Sequence, residues 1–256
     1  MNRFVPLSLE RFSEQRWSRF TDYRHAAQLH LIALAAPEIS KAAAHLPLAF
    51  ACSAQDTISL CMLTGLNPGI NHCLDDRNQW QAGYVPAFVR SYPFRLLTPP
   101  PGKGQPNQRV VCVDNDSPWV GEHAELAFFA DGQPTPAVQE VIDFLGQIGK
   151  HYVMTERAVD GLNQAGLLTP WKLSSPQGEQ IKGLLRLNEA KMSKINRDSL
   201  FKLHQQGSLA VGYAQALSTQ QLPRLQALAQ AHDQRQPAIN LDQLFDSDSD
   251  SLFKFD

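Results

Sequence analysis

The sequence has no run approaching the roughly 20 apolar residues that a membrane helix requires. Its most apolar stretch, Ala26 to Pro37, is broken by Gln28 and His30. The first residues, Met1-Asn2-Arg3-Phe4-Val5-Pro6 with Glu10 and Glu14 close behind, hold neither an apolar signal core nor a small-residue cleavage site. Cysteine is scarce: Cys52, Cys61, Cys73 and Cys112, none in a CxxC pair. That argues against a disulfide scaffold and for reduced, mostly buried thiols. Together with the missing signal, it predicts a cytoplasmic location. There is no excess of positive charge either. The net charge is −2, which gives no reason to expect a nucleic-acid partner. No P-loop, GxGxxG, GxSxG or HExxH occurs, so the common nucleotide and hydrolase mechanisms have no support.

What is present is an ordinary globular composition. Hydrophobic residues make up 43% and charged residues 19% of 256 positions, enough to bury a core and to exclude wholesale disorder. The charge is unevenly placed. Residues 233–256 carry six aspartates against Arg235 and Lys254, while the remainder is nearly neutral. We therefore expect a single domain over 1–232, the loop 98–108 being the one place where it divides if it divides at all. An acidic tail, disordered or docking, follows over 233–256.

Strand patterns fill the first half. Val5-Pro6-Leu7 reads as an edge strand, since proline cannot donate in a central ladder. Leu48 to Cys52 and Ile58 to Leu63 read as a hairpin, and Asn71 to Leu74 as a further short strand. Arg109 to Asp114 and Glu125 to Ala130 follow, the latter closed by Asp131-Gly132. Helical spacing begins at Pro134 and runs through Val138, Val141, Leu145, Val159 and Leu162, with Gly146 and Gly149 as places for a kink or split. After strands near Trp171 and Ile181 to Leu187, the rest is mainly helical. Asn188 reads as a cap, a helix opens at Arg197-Asp198, and Ser218 reads as a cap for Gln220 to Ala231. The fold class is α+β, a strand-rich N-terminal half with a mainly helical C-terminal half.

One segment stands out: Trp80-x3-Tyr84-Val85-Pro86-Ala87-Phe88-Val89-Arg90-Ser91-Tyr92-Pro93-Phe94. Trp80, Tyr84 and Phe88 lie four residues apart, which predicts stacking on one helical face and a role in organising the core. Arg90 is the single charge among these rings. It is expected to stack on a ring or to pair with a carboxylate from Glu38, Asp56, Asp75, Asp76 or Asp114. The set Trp80, Tyr84, Phe88, Arg90 and Tyr92 is the candidate ligand-binding site. No catalytic residue is assigned, and no metal or cofactor is expected.

This segment resembles the hallmark of the SapC family, small bacterial proteins named after a surface-layer-associated protein. The resemblance extends over roughly residues 4–230. It takes in Val5-Pro6-Leu7, Pro37-Glu38 with Leu46-Pro47-Leu48-Ala49-Phe50, Leu63-x-Gly65-Leu66 with Asn71, Asp131-Gly132-x-Pro134-Thr135, and the stretches Gly183 to Lys191 and Gly207 to Ser218. Phe12 stands where the family pattern leads us to expect a histidine. The resemblance brings no settled activity. The peptide-transporter permease label attached to family members does not fit a chain without a membrane span.

Other constellations are weaker. His123-Ala124-Glu125 has the HxE spacing of an iron site, with His151 or His204 as a distal partner. His72-Cys73 is an adjacent pair, but neighbours on a strand face opposite ways and make a poor base and nucleophile. Asp114 to Pro118 reads as a turn at a strand end. Asp246 to Asp250 has calcium-loop spacing without the glycine such a loop needs. The preferred function is a non-catalytic binding or accessory protein with an aromatic pocket around 80–94, its occupant a protein partner or a small ligand. The alternative is an enzyme without a recognisable motif, such as a metal-dependent oxygenase.

Overall fold

Leu48–Cys52 and Ile58–Leu63 pair antiparallel from Leu48↔Met62 to Cys52↔Ile58, the expected hairpin. In the computed structural model, which describes residues 3–53, 56–99, 109–175, 178 and 180–235, this hairpin is the centre of a five-stranded antiparallel sheet. The strand order is Leu168–Pro170, Leu184–Leu187, Leu48–Cys52, Ile58–Leu63 and Leu31–Ala33. Leu48, Ala49 and Phe50 are all fully buried. A strand covered on both faces reads as a continuous apolar run, as this one does.

A second sheet is smaller. Phe4–Pro6 forms its edge and pairs with Val110–Asp114, which pairs in turn with Phe94–Leu97. Pro6 is tolerated there because an edge strand leaves one side of its backbone unpaired. Arg16–Trp17 lies between Val120–Gly121 and Leu126–Ala127 in a third, short sheet. The strand expected over 125–130 is broken into two pieces. Phe129–Ala130 turns back on Gln133–Pro134 through Asp131 and Gly132, both at positive φ (50° and 75°), the conformation of a tight hairpin turn.

The helix Pro136–Gln164 joins the two halves. Its 29 residues span roughly 43 Å. Neither Gly146 nor Gly149 breaks it. Gly149 instead permits close packing, because a Cβ there would sit 2.5 Å from a Leu96 methyl. Val138 and Leu145 enter a core with Val5, Phe12, Trp17, Phe94, Val113 and Phe128. Further along, Ala158, Val159 and Leu162 enter the larger core over the five-stranded sheet. Phe12, at the position of the expected histidine, is fully buried against Phe128 at 4.8 Å.

The helices Arg197–Gln205, Ser208–Ser218 and Leu222–Arg235 complete the C-terminal half, giving the α+β class. Asn188 caps as expected, accepting from the Lys191 amide at 3.0 Å. Ser218 does not cap. Its hydroxyl accepts the Leu48 amide at 2.8 Å, and Gln215 beside it bridges Leu48 O and Leu187 N. These two buried side chains satisfy sheet groups that adjacent strands leave open. The strand expected over 71–74 reduces to one bridge, Leu74↔Trp80. The terminal helix runs to Arg235, and the acidic residues 236–256 lie outside the described residues.

Gly65 marks a tight place in the loop between the strand Ile58–Leu63 and Leu74. A Cβ there would lie 1.8 Å from the Ile70 carbonyl oxygen. Backbone cannot move aside as a flexible side chain does. Gly65→Ala is expected to lower stability by about 1–3 kcal/mol in a urea titration. An unchanged midpoint would show that the loop is not constrained there.

Candidate functional site

Pro86 decides the local structure of the aromatic segment. The residue before a proline is disfavoured in helix, and helix forms only after it, over Ala87–Arg90. Trp80, Tyr84 and Phe88 therefore do not share a helical face, contrary to the spacing argument. The Trp80 indole instead donates to the Tyr84 carbonyl at 2.9 Å. All three rings are half-buried. Trp80 and Phe88 pack around Ala26, Ile32 and Val89, and Trp80 and Tyr84 also touch the large core.

Two buried carboxylates clamp this segment. Glu38 is only 3% exposed and accepts three hydrogen bonds: from the Ala35 amide (3.0 Å), the Tyr84 hydroxyl (2.8 Å) and the Ala87 amide (2.6 Å). Burial, with the Glu38 carboxylate next in effect, pushes the Tyr84 phenol up to about 12. At the other end Asp114, fully buried, accepts the Tyr92 hydroxyl at 2.8 Å and the Arg3 guanidinium at 2.7 Å. The Tyr92-Pro93 peptide between them is cis.

Arg90 takes the first of its two expected arrangements, over a ring, and not the second, with a carboxylate. It is exposed, donates from Nε to the Val85 carbonyl at 3.0 Å and lies over the Phe144 ring at 5.4 Å. Among the described residues no carboxylate pairs with it, because Glu38 and Asp114 are taken by other donors. The buried arginine is Arg95. It lies 4.0 Å over Phe88 and donates to Phe88 O, Ser91 Oγ and Phe94 O, and burial pushes its pKa down to about 10.

Arg90 and Tyr92 line an open cleft of about 350 Å³ with Trp17, Arg19, Phe20, Ser91, Phe94, Glu140, Val141 and Phe144. Trp80, Tyr84 and Phe88 lie outside it. Behind Tyr92, His25 stacks on the phenol ring at 4.1 Å and 8°, and Trp119 stands edge-on to both. His25 Nε2 meets Val89 O at 3.2 Å, and burial, the largest influence, holds this histidine down to about 4. Sequence reading missed His25, Phe20, Trp119 and Phe144. They are single aromatics in three distant segments, without a local pattern.

The remaining sequence candidates fare differently. His123 and Glu125 are exposed around a turn, not side by side on a strand. Cys73 is buried, donates from Sγ to Thr64 O at 3.6 Å, and has its thiol pushed up to about 12 by burial. The calcium-like Asp246 to Asp250 lies outside the described residues. A cluster that sequence did not mark is formed by His72, His232 and Asp233.

The clamped aromatic segment and the long helix beside it both lie within the stretch that a family model matches. The SapC family model matches residues 7–225, and the chain belongs to that family. No curated protein and no solved structure matches it. No described helix is long and apolar enough to cross a membrane.

Glu38→Gln tests the first clamp. A glutamine keeps one acceptor but turns an N–H toward groups that are themselves donors. The fold is expected to lose about 2–3 kcal/mol, read from denaturant midpoints. Loss below a few tenths would show that the carboxylate does not hold the segment.

Acid sensitivity tests the environment of His25. Its folded-state pKa lies below its free value, so the neutral form is favoured by folding. The stabilising contribution is complete above pH 6.5 and is lost as pH falls toward 4. The thermal midpoint is expected to drop across that window, and His25→Phe, which keeps a stacked ring but cannot charge, to flatten part of the drop. His72 titrates in the same direction, so flattening will be partial. An identical slope in the variant would overturn the assignment.

Proposed function

We propose that this chain is a non-catalytic binding or accessory protein, and that the cleft beside Tyr92 is its binding surface. The reading rests on one observation: an aromatic-walled cleft is lined by two arginines, Arg19 and Arg90, and one acid, Glu140. Rings supply contact area at low entropic cost, and a guanidinium fixes the orientation of an anion. The occupant that fits is an aromatic or apolar group bearing one acidic substituent, free or displayed on a partner's peptide segment.

The hydroxyls at this site favour binding over chemistry. Ser91 Oγ is directed to Phe88 O and Phe94 O, each at 3.2 Å, and Tyr92 donates to Asp114. His25 stands behind Tyr92 and is absent from the cleft lining. A nucleophile needs a base within hydrogen-bonding reach, and these groups are spent on structure. Of the five residues chosen from sequence, Arg90 and Tyr92 belong to the proposed surface; Trp80, Tyr84 and Phe88 pack against the cores instead. We further propose that the two cores act as one unit over residues 3–232, because the helix Pro136–Gln164 contributes to both.

Anilinonaphthalene sulfonate, an aromatic ring system with one anionic group, is a suitable probe. The native protein is expected to bind it saturably with a rise in fluorescence. Arg90→Ala should weaken binding by roughly tenfold or more without moving the thermal midpoint, since Arg90 is exposed. Phe144→Ala should weaken it as well. Equal binding by both variants would refute the cleft as the site.

A further inference from the structure

Away from the cleft, His72 is held by the loop that follows Leu63, its amide bonded to Thr64 O at 2.8 Å. The residue is 2% exposed. His232 comes from the last turns of the terminal helix, 160 positions later, and its ring meets that of His72 at 5.2 Å between centroids. The His72 Nε2 and His232 Nδ1 atoms are both buried, and neither has a hydrogen-bond partner among the described residues. Asp233 Oδ1 lies 4.0 Å from His232 Nδ1, and the three ligating atoms all fall within 4.8 Å of one another. Two buried imidazole nitrogens without partners are costly as they stand, since buried polar atoms normally find partners.

We propose that His72, His232 and Asp233 bind a divalent first-row transition metal ion between the loop and the terminal helix. Two nitrogens and one carboxylate oxygen suit such an ion and leave further positions for water. Bonds of about 2.0–2.2 Å need donors closer together than 4.8 Å. The side chains of His232 and Asp233, 22% and 41% exposed, would have to shift to close that distance. His72 is neutral at ordinary pH because burial holds it down to about 4. The Leu66 amide donates to its Nδ1 at 3.2 Å, which places the proton on Nε2 in the metal-free chain. Metal binding moves that proton to Nδ1, where it opposes the Leu66 N–H, so coordination gives up this hydrogen bond and requires the loop at Leu66 to shift.

The test uses the full chain stripped with chelator and titrated with Co²⁺, then Zn²⁺. One Co²⁺ per chain with visible d–d bands, displaced by Zn²⁺, is expected, together with a Zn²⁺-dependent rise in thermal midpoint. His232→Ala, its metal-free thermal midpoint compared with that of the native chain, should weaken binding by at least about tenfold and remove the rise. Asp233→Asn should weaken binding to a lesser degree. Failure of the chain to take up one equivalent would overturn the site. So would full affinity in His232→Ala, which would place the ion elsewhere, such as on the acids beyond Arg235.

Discussion

The Glu38 carboxylate is the interaction on which the placement of the aromatic segment depends. It is buried without a cation, and such a charge is tolerated only when its lone pairs are filled. Two backbone amides and the Tyr84 hydroxyl fill them. One amide belongs to Ala35, at the entrance of the turn that carries Glu38 itself. Another belongs to Ala87, the first residue of the short helix Ala87–Arg90. The same carboxylate therefore fixes its own turn and the start of the helix that carries Arg90. Asp114 does the equivalent at the far end through Tyr92. Between the two clamps, the segment has little freedom to re-route.

The long helix supplies the other constraint. Its N-terminal part seals the core around Phe94 and Phe128, and its C-terminal part packs on the five-stranded sheet. Glu140, Val141 and Phe144 come from its first part, so the cleft lies where this helix meets the clamped segment and the strand bearing Trp17. The walls are contributed by three stretches of chain, each anchored by its own buried contacts. Pre-organisation of this kind lowers the ordering cost of binding.

Much of the fold was legible because its signals are local. The hairpin over 48–63 follows from two apolar runs and a polar turn, the Asp131-Gly132 turn from its residues, and the Asn188 cap from one side chain. The Trp80, Tyr84 and Phe88 spacing misled, although Pro86 lies between Tyr84 and Phe88 and already argues against helix before it. Ser218 misled for a different reason. A cap and a sheet-bridging hydroxyl look alike in sequence, and only the approach of Leu48, 170 positions away, distinguishes them. The site was half legible. Arg90 and Tyr92 stand in a conspicuous block, whereas Phe20, Phe144 and the His72–His232 pair depend on contacts between distant segments.

The two arginines show how burial reassigns roles that sequence cannot separate. Arg90 and Arg95 sit five residues apart in the same aromatic surroundings. Strand Phe94–Leu97 turns Arg95 inward, where Phe88 and three oxygen acceptors compensate for its desolvation without a carboxylate. The last turn of the short helix turns Arg90 outward. The two buried acids of the clamps are held by other donors, Glu38 by amides and a phenol, Asp114 by Arg3 and Tyr92. Among the described residues, the charge of Arg90 is met by the Val85 carbonyl and the face of Phe144 rather than by an acid. With Arg19 and Glu140 also in its lining, the cleft carries one more positive than negative side chain. The two carboxylates that shape the segment, Glu38 and Asp114, are not among the groups that line the cleft.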